Sequence, residues 1–85
     1  MILEELRRTV LACLGRVAPE ADVASLRGDL PIRDQVDLDS MDFLRFVIEI
    51  DETLHVAVPE SEYAELGTLD GCIRYLGARL PDAAR

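Results

Sequence analysis

The segment Asp37-Leu38-Asp39-Ser40-Met41-Asp42-Phe43-Leu44-Arg45-Phe46-Val47-Ile48-Glu49-Ile50-Asp51-Glu52-Thr53-Leu54 limits the possible folds more than any other. Met41, Leu44, Val47, Ile48 and Leu54 fall near the i, i+3, i+4, i+7 spacing of a buried helical face. Phe43, Phe46 and Ile50 extend the apolar surface to further sides of the same helix. Such a helix needs several neighbours, so it is expected at the centre of a helical bundle. Phe43 and Ile48 are expected either in the core or as a contact patch beside Ser40. Asp39 is a good N-cap, and Asp42 places a second carboxylate in the first turn, where the helix dipole favours negative charge. Ser40 then stands at or beside the first helical residue, with its hydroxyl near the surface.

The flanking sequence supplies the neighbours. Ile2, Leu3, Leu6, Val10, Leu11, Leu14 and Val17 recur at helical spacing, with Glu4, Glu5, Arg7, Arg8 and Arg16 mostly opposite. This predicts an amphipathic first helix ending between Gly15 and Pro19. Over residues 18–37 the periodicity dissolves, punctuated by Pro19, Gly28 and Pro31. A connection this long is unusual in a small domain, but Leu26, Leu30, Ile32 and Val36 can pin it across the bundle, and a short helical turn fits residues 22–26. Residues 59–67 read as one or two helical turns opened by Pro59 and stopped by Gly67. Thr68 then caps a last helix with Leu69, Cys72, Ile73, Leu76 and Leu80 inward; Gly71 and Gly77 weaken it and Pro81 ends it. The predicted fold is all-α: a small four-helix bundle with three longer helices, a short third one and a long loop between the first and second. Residues 1–81 are expected to form a single domain, and residues 82–85 a short flexible tail.

Charge narrows the classes of partner. Seventeen acidic residues stand against nine basic ones, all arginine, for a net charge of −8. That excludes the basic face needed for nucleic acid and favours electropositive protein partners. No apolar run approaches the ~20 residues of a membrane span, and no signal segment opens the chain, so a cytoplasmic location is expected. Cys13 and Cys72 lack a CxxC or histidine neighbour, which predicts buried small hydrophobes and no metal site. Ser40 has no general base within reach: His55 lies beyond the far end of the same helix, ~20 Å away at ~1.5 Å per residue. Carboxylate pairs such as Asp37/Asp39 and Asp51/Glu52 read as solvated surface charge. A non-catalytic protein is expected.

Three motifs in order point to a family. Asp39-Ser40-Met41 resembles the Asp-Ser-Leu attachment motif of acyl carrier proteins, with Met in place of Leu. Val56-Ala57-Val58-Pro59 resembles the apolar-x-apolar-Pro lead into that family's short third helix, and Thr68-Leu69-Asp70-Gly71-Cys72-Ile73-Arg74-Tyr75-Leu76 resembles the start of its last helix. The resemblance covers roughly residues 36–76. It implies a covalent 4′-phosphopantetheine, moved from coenzyme A onto Ser40, flanked by Asp39 and Met41, by a magnesium-using phosphopantetheinyl transferase. The arm's thiol would then carry acyl groups as thioesters to ligase, synthase or acyl-transfer enzymes with basic docking patches. It further implies partner contacts at Asp37, Met41, Asp42, Leu44, Ile48, Asp51, Glu52 and Glu60, and an acyl pocket formed by Val47, Ile50, Tyr63 and Leu66. Two residues depart from the family pattern: Arg45, where an acidic residue is common on the recognition face, and Tyr63, bulkier than usual for the pocket. Both suggest a specialised carrier with its own partner contact at Arg45.

The chain opens on Met1 and holds little beyond the domain, so a free-standing, monomeric acyl carrier of fatty-acid, polyketide or other specialised acyl metabolism is expected. An aminoacyl or peptidyl carrier is the alternative, although Val36-Asp37-Leu38-Asp39 lacks the glycine-rich lead-in typical of that class. A third possibility is an unmodified acidic helical interaction module in which Ser40 only starts a helix.

Overall fold

The computed structural model describes residues 2–80. Three longer helices dominate it: α1 (Leu3–Val17), α3 (Ser40–Leu54) and α4 (Leu69–Arg79), of 15, 15 and 11 residues. Between them lie a 3-10 turn (Val23–Ser25), a four-residue helix α2 (Ile32–Gln35) and a 3-10 helix (Glu60–Leu66). The described residues contain no strand; Pro31 and Thr68 meet only in an isolated bridge. The architecture is the expected all-α one. Pro81 and residues 82–85, expected to end the last helix and form a tail, lie outside the described residues.

α1 packs against both α3 and α4, and the 3-10 helix packs on α4. Leu6, Val10, Cys13 and Leu14 of α1 meet Phe46, Val47, Ile50 and Leu54 of α3 and Leu69, Cys72 and Leu76 of α4 in one core cluster. Residues of the irregular segments complete it: Leu26, Ile32, Val36, Leu38, Val56, Val58 and Leu66 are all buried. Both cysteines are fully enclosed, as expected, and the Cys72 thiol donates to the Leu66 carbonyl at 3.4 Å. Burial pushes the Cys72 thiol up to about 12.

The long connection is more structured than its composition suggests. The Gln35 side chain accepts from Arg27 N at 2.7 Å and donates to the carbonyls of Arg27 and Leu30 at 2.9 and 3.1 Å. Ile32 N donates to Gly67 O at 2.8 Å and Asp70 N to Gly28 O at 3.0 Å, so the loop is fastened to the start of α4. The expected turn near residues 22–26 is present as the 3-10 turn; α2 was not expected, because four residues are too few to show a period.

Two expectations about burial and one about packing need correction. Ile2 and Leu3 are 47% exposed, and Leu3 borders a shallow groove against Ile73 and Gly77 of α4 rather than closing into the core. On α3 the inward face is Phe46, Val47, Ile50 and Leu54, while Met41 and Ile48 are 62% and 46% exposed. The apolar pattern allowed either face, and the position of α1 chose between them. Gly71, expected to weaken α4, is instead required by close packing: a Cβ there would collide with the Glu65 carbonyl and come within 2.9 Å of Thr68 Oγ1.

Candidate functional site

α3 starts where the sequence places it. Asp42 N donates to Asp39 Oδ1 at 2.8 Å and Asp39 N to Asp42 Oδ2 at 3.3 Å, a reciprocal capping box. These two carboxylates do the capping, so the side chain of Ser40, the first helical residue, is left exposed to other chemistry. At the other end His55 closes the helix in the left-handed conformation, φ 57°, with its N–H on Asp51 O at 2.7 Å. His55 is exposed, and a full helix length separates it from Ser40, as expected.

Beside Ser40 lies a groove of about 510 Å³. One wall is α3, through Ser40, Phe43 and Leu44; the other is the 3-10 helix and its cap, through Glu60, Tyr63, Ala64 and Gly67. Arg33 of α2 completes the rim. The Phe43 ring packs on Phe46, centroids 6.1 Å apart at 55°, so its inner edge meets the core. The 3-10 helix is itself anchored to α4: Arg79 pairs with Glu62 at 2.8 Å and lies 3.5 Å over the Tyr75 ring. Tyr75 is buried, and that burial pushes its phenol pKa up.

A hydroxyl on a capped helix start, opening onto a mostly apolar groove, fits a flexible arm attached through oxygen. The model of the family described as phosphopantetheine attachment site matches residues 8–76. The chain belongs to this family. No curated protein matches it. Carriers of this family hold 4′-phosphopantetheine covalently and work with phosphopantetheinyl transferases and acyl-handling enzymes. The residues present fit that group, because the exposed Ser40 side chain and the groove adjoin.

The carrier's expected site residues divide into two sets. Asp37, Met41, Arg45, Ile48, Asp51, Glu52 and Glu60 are exposed, and Asp42 and Leu44 are half-buried. Met41, Leu44, Arg45, Ile48 and Glu52 follow one another at helical spacing on the outward side of α3. Glu60 joins Ser40 on the groove. Of the residues expected to form the acyl pocket only Tyr63 lines the groove; Val47, Ile50 and Leu66 are closed into the core at 3%, 0% and 0% exposure. Arg45 forms none of the ion pairs found among the described residues. Glu49, four residues further along α3, is held by Arg16 at 2.8 Å, and Asp42 faces its cap. Arg33, Ala64 and Gly67 are the groove residues that sequence reasoning missed, since they meet Ser40 only through the fold.

Among the described residues no helix is long and apolar enough to cross a membrane.

Proposed function

We propose that this carrier is an acyl carrier protein with its arm on Ser40. The observation that supports this most is the placement of Ser40: first residue of α3, exposed, relieved of capping by Asp39 and Asp42, and on the rim of an apolar groove. In the loading step Ser40 Oγ gives its proton to the transferase and forms the P–O bond as coenzyme A releases adenosine bisphosphate. When bound, the arm supplies a thiol that holds an acyl group as a thioester. The chain's own residues bind and orient rather than catalyse. A phosphodiester on Ser40 lies near the positive end of α3, an effect of about 0.3–1 kcal/mol at a surface. Asp37, Asp39 and Asp42 oppose it and serve instead to steer arginine- or lysine-lined enzymes toward the serine.

The outward stripe of α3 supports docking. Met41 and Ile48 offer apolar contact, Asp42, Asp51 and Glu52 the acidic surround, and Arg45 a cation that deters a uniformly basic patch. Val47, Ile50 and Leu66 lie closed in the core, so an acyl chain reaches them only if Phe43 and Tyr63 move aside. The cargo is an acyl intermediate of fatty-acid, polyketide or other specialised metabolism, and the carrier acts as a cytoplasmic monomer.

Intact mass after incubation with coenzyme A and a broad-specificity transferase tests the assignment. The wild type should gain one arm and the Ser40→Ala variant none, while the variant keeps its helical circular dichroism and loses at most about 1 kcal/mol of stability. An arm on Ser40→Ala would overturn the attachment site. Failure of the wild type to load would favour an unmodified interaction module, and an aminoacyl group on protein from its native cell would favour the aminoacyl carrier.

A further inference from the structure

The groove beside Ser40 contains a cation that the docking stripe does not account for. Among the described residues Arg33 is the only basic one lining it, and Glu60 the only acidic one. Arg33 Nε donates to the Leu38 carbonyl at 3.3 Å, which ties the guanidinium to the turn that leads into Ser40. Arg33 takes part in none of the ion pairs found among the described residues, and it is exposed. The nearest charges in sequence to Ser40 are otherwise all negative: Asp37, Asp39 and Asp42. An anion attached to Ser40 therefore has acidic neighbours along the chain, and Arg33 is the cation on the groove that it shares.

We infer that Arg33 is a positioning residue: it binds the phosphodiester of the arm on Ser40 and turns that arm into the groove, between Phe43 and Tyr63. This rests on Ser40 being the attachment point. The planar guanidinium matches two phosphate oxygens at once, which an ammonium does as a point charge only. With Nε occupied by Leu38, the two terminal nitrogens remain to face the groove. The consequence is directional. An arm held at its phosphate by Arg33 runs along the apolar walls and keeps its thioester against the protein until a partner's basic patch competes for the phosphate. The same guanidinium would suit a carboxylate at the far end of a cargo, so the test uses the arm without cargo.

Wild type, Arg33→Gln and Arg33→Lys are loaded from coenzyme A, and one arm per chain is verified by intact mass. Phosphorus NMR of each is compared with the same protein unfolded in urea, at low and moderate salt. Nuclear Overhauser contacts are measured from the arm's geminal methyls to the rings of Phe43 and Tyr63. In the wild type the phosphorus resonance should be displaced from its unfolded position, and salt should bring it back. Arg33→Gln should lie near the unfolded position, with arm-to-ring contacts weakened about two- to five-fold, the range for one exposed charge-assisted contact; Arg33→Lys should fall between. An Arg33→Gln protein that matches the wild type in both spectra overturns the inference while leaving Ser40 as the attachment site. If Arg33→Gln does not fold, the wild type decides: a phosphorus position equal in folded and unfolded protein and insensitive to salt overturns it, and a displaced, salt-sensitive one supports it. A wild type that accepts no arm overturns both the attachment reading and the inference.

Discussion

The inward and outward faces of α3 draw on the same kinds of residue. Phe46, Val47, Ile50 and Leu54 are at most 8% exposed, closed against α1 and the rest of the core. Around the helix, Met41 and Ile48 remain 62% and 46% exposed beside Arg45. The faces also differ in how charge is handled. At the α1 side, Arg16 is engaged three ways, by Glu49 at 2.8 Å, Thr53 Oγ1 at 3.0 Å and Cys13 Sγ at 3.4 Å. The hydrogen bond from Arg16 to Glu49 raises the Arg16 pKa further above its ordinary value. On the outward side Arg45 has no such partner among the described residues. One face of the helix is thus built for stability and the other left available for contact, although apolar periodicity alone gives them equal standing.

The largest expected difference between them is thermodynamic. Phe46→Ala should cost about 3–5 kcal/mol, the range for an aromatic removed from a core, which is much of the 5–15 kcal/mol that holds a typical domain. Ile48→Ala should change stability by no more than about 0.5 kcal/mol. Urea unfolding of the two variants checks this, and equal losses would erase the distinction between the faces.

Alkali should separate the interior from the surface next. The Cys72 thiol, fully enclosed, is raised from 9.0 to about 12, so between those values the folded protein keeps a proton that the unfolded chain has lost. The unfolded state binds fewer protons there, and stability falls as pH rises. The contribution is complete below pH 9 and is lost toward pH 12, at about 1.4 kcal/mol per pH unit. Unfolding free energies measured from neutral pH upward should fall more steeply for wild type than for Cys72→Ala. Parallel curves would mean that the thiol ionises as freely in the folded protein as in the unfolded chain.

The smallest effect should come from the outward face. Arg45→Glu should leave stability within about 0.5 kcal/mol, but speed loading or transfer by generic acyl-carrier enzymes about two- to five-fold at low salt, through association. A cognate partner presenting a carboxylate at that spot should slow. Identical rates with both enzyme classes would make Arg45 an ordinary surface residue.

How much was legible depended on how local the cause was. The start of α3 could be read because its cap is made by Asp39 and Asp42, three residues apart, and the start of α4 because Thr68 Oγ1 accepts from Gly71 N at 2.9 Å. The 3-10 helix from Glu60 was legible from Pro59, which presets the backbone for a first turn. α2 and the Gln35 bridge were not, because a side chain that closes eight residues of loop back onto Arg27 leaves no periodic trace.

The site follows the same division. An exposed serine at the start of a capped, strongly apolar helix is a property of adjacent residues, and so is the excess of acid around it. Sequence by itself therefore determined the helical class and the helix start, and it is the ground for proposing Ser40 as the attachment residue. Tertiary structure decided which apolar side chains face water and that Val47, Ile50 and Leu66 close into the core. It also decided that Arg33 and Tyr63, seven residues before Ser40 and twenty-three after it, meet at one groove. The physical reason is that burial and groove shape depend on what packs opposite a residue. In this protein the opposing elements are α1 and the 3-10 helix, brought there by contacts far apart in the chain.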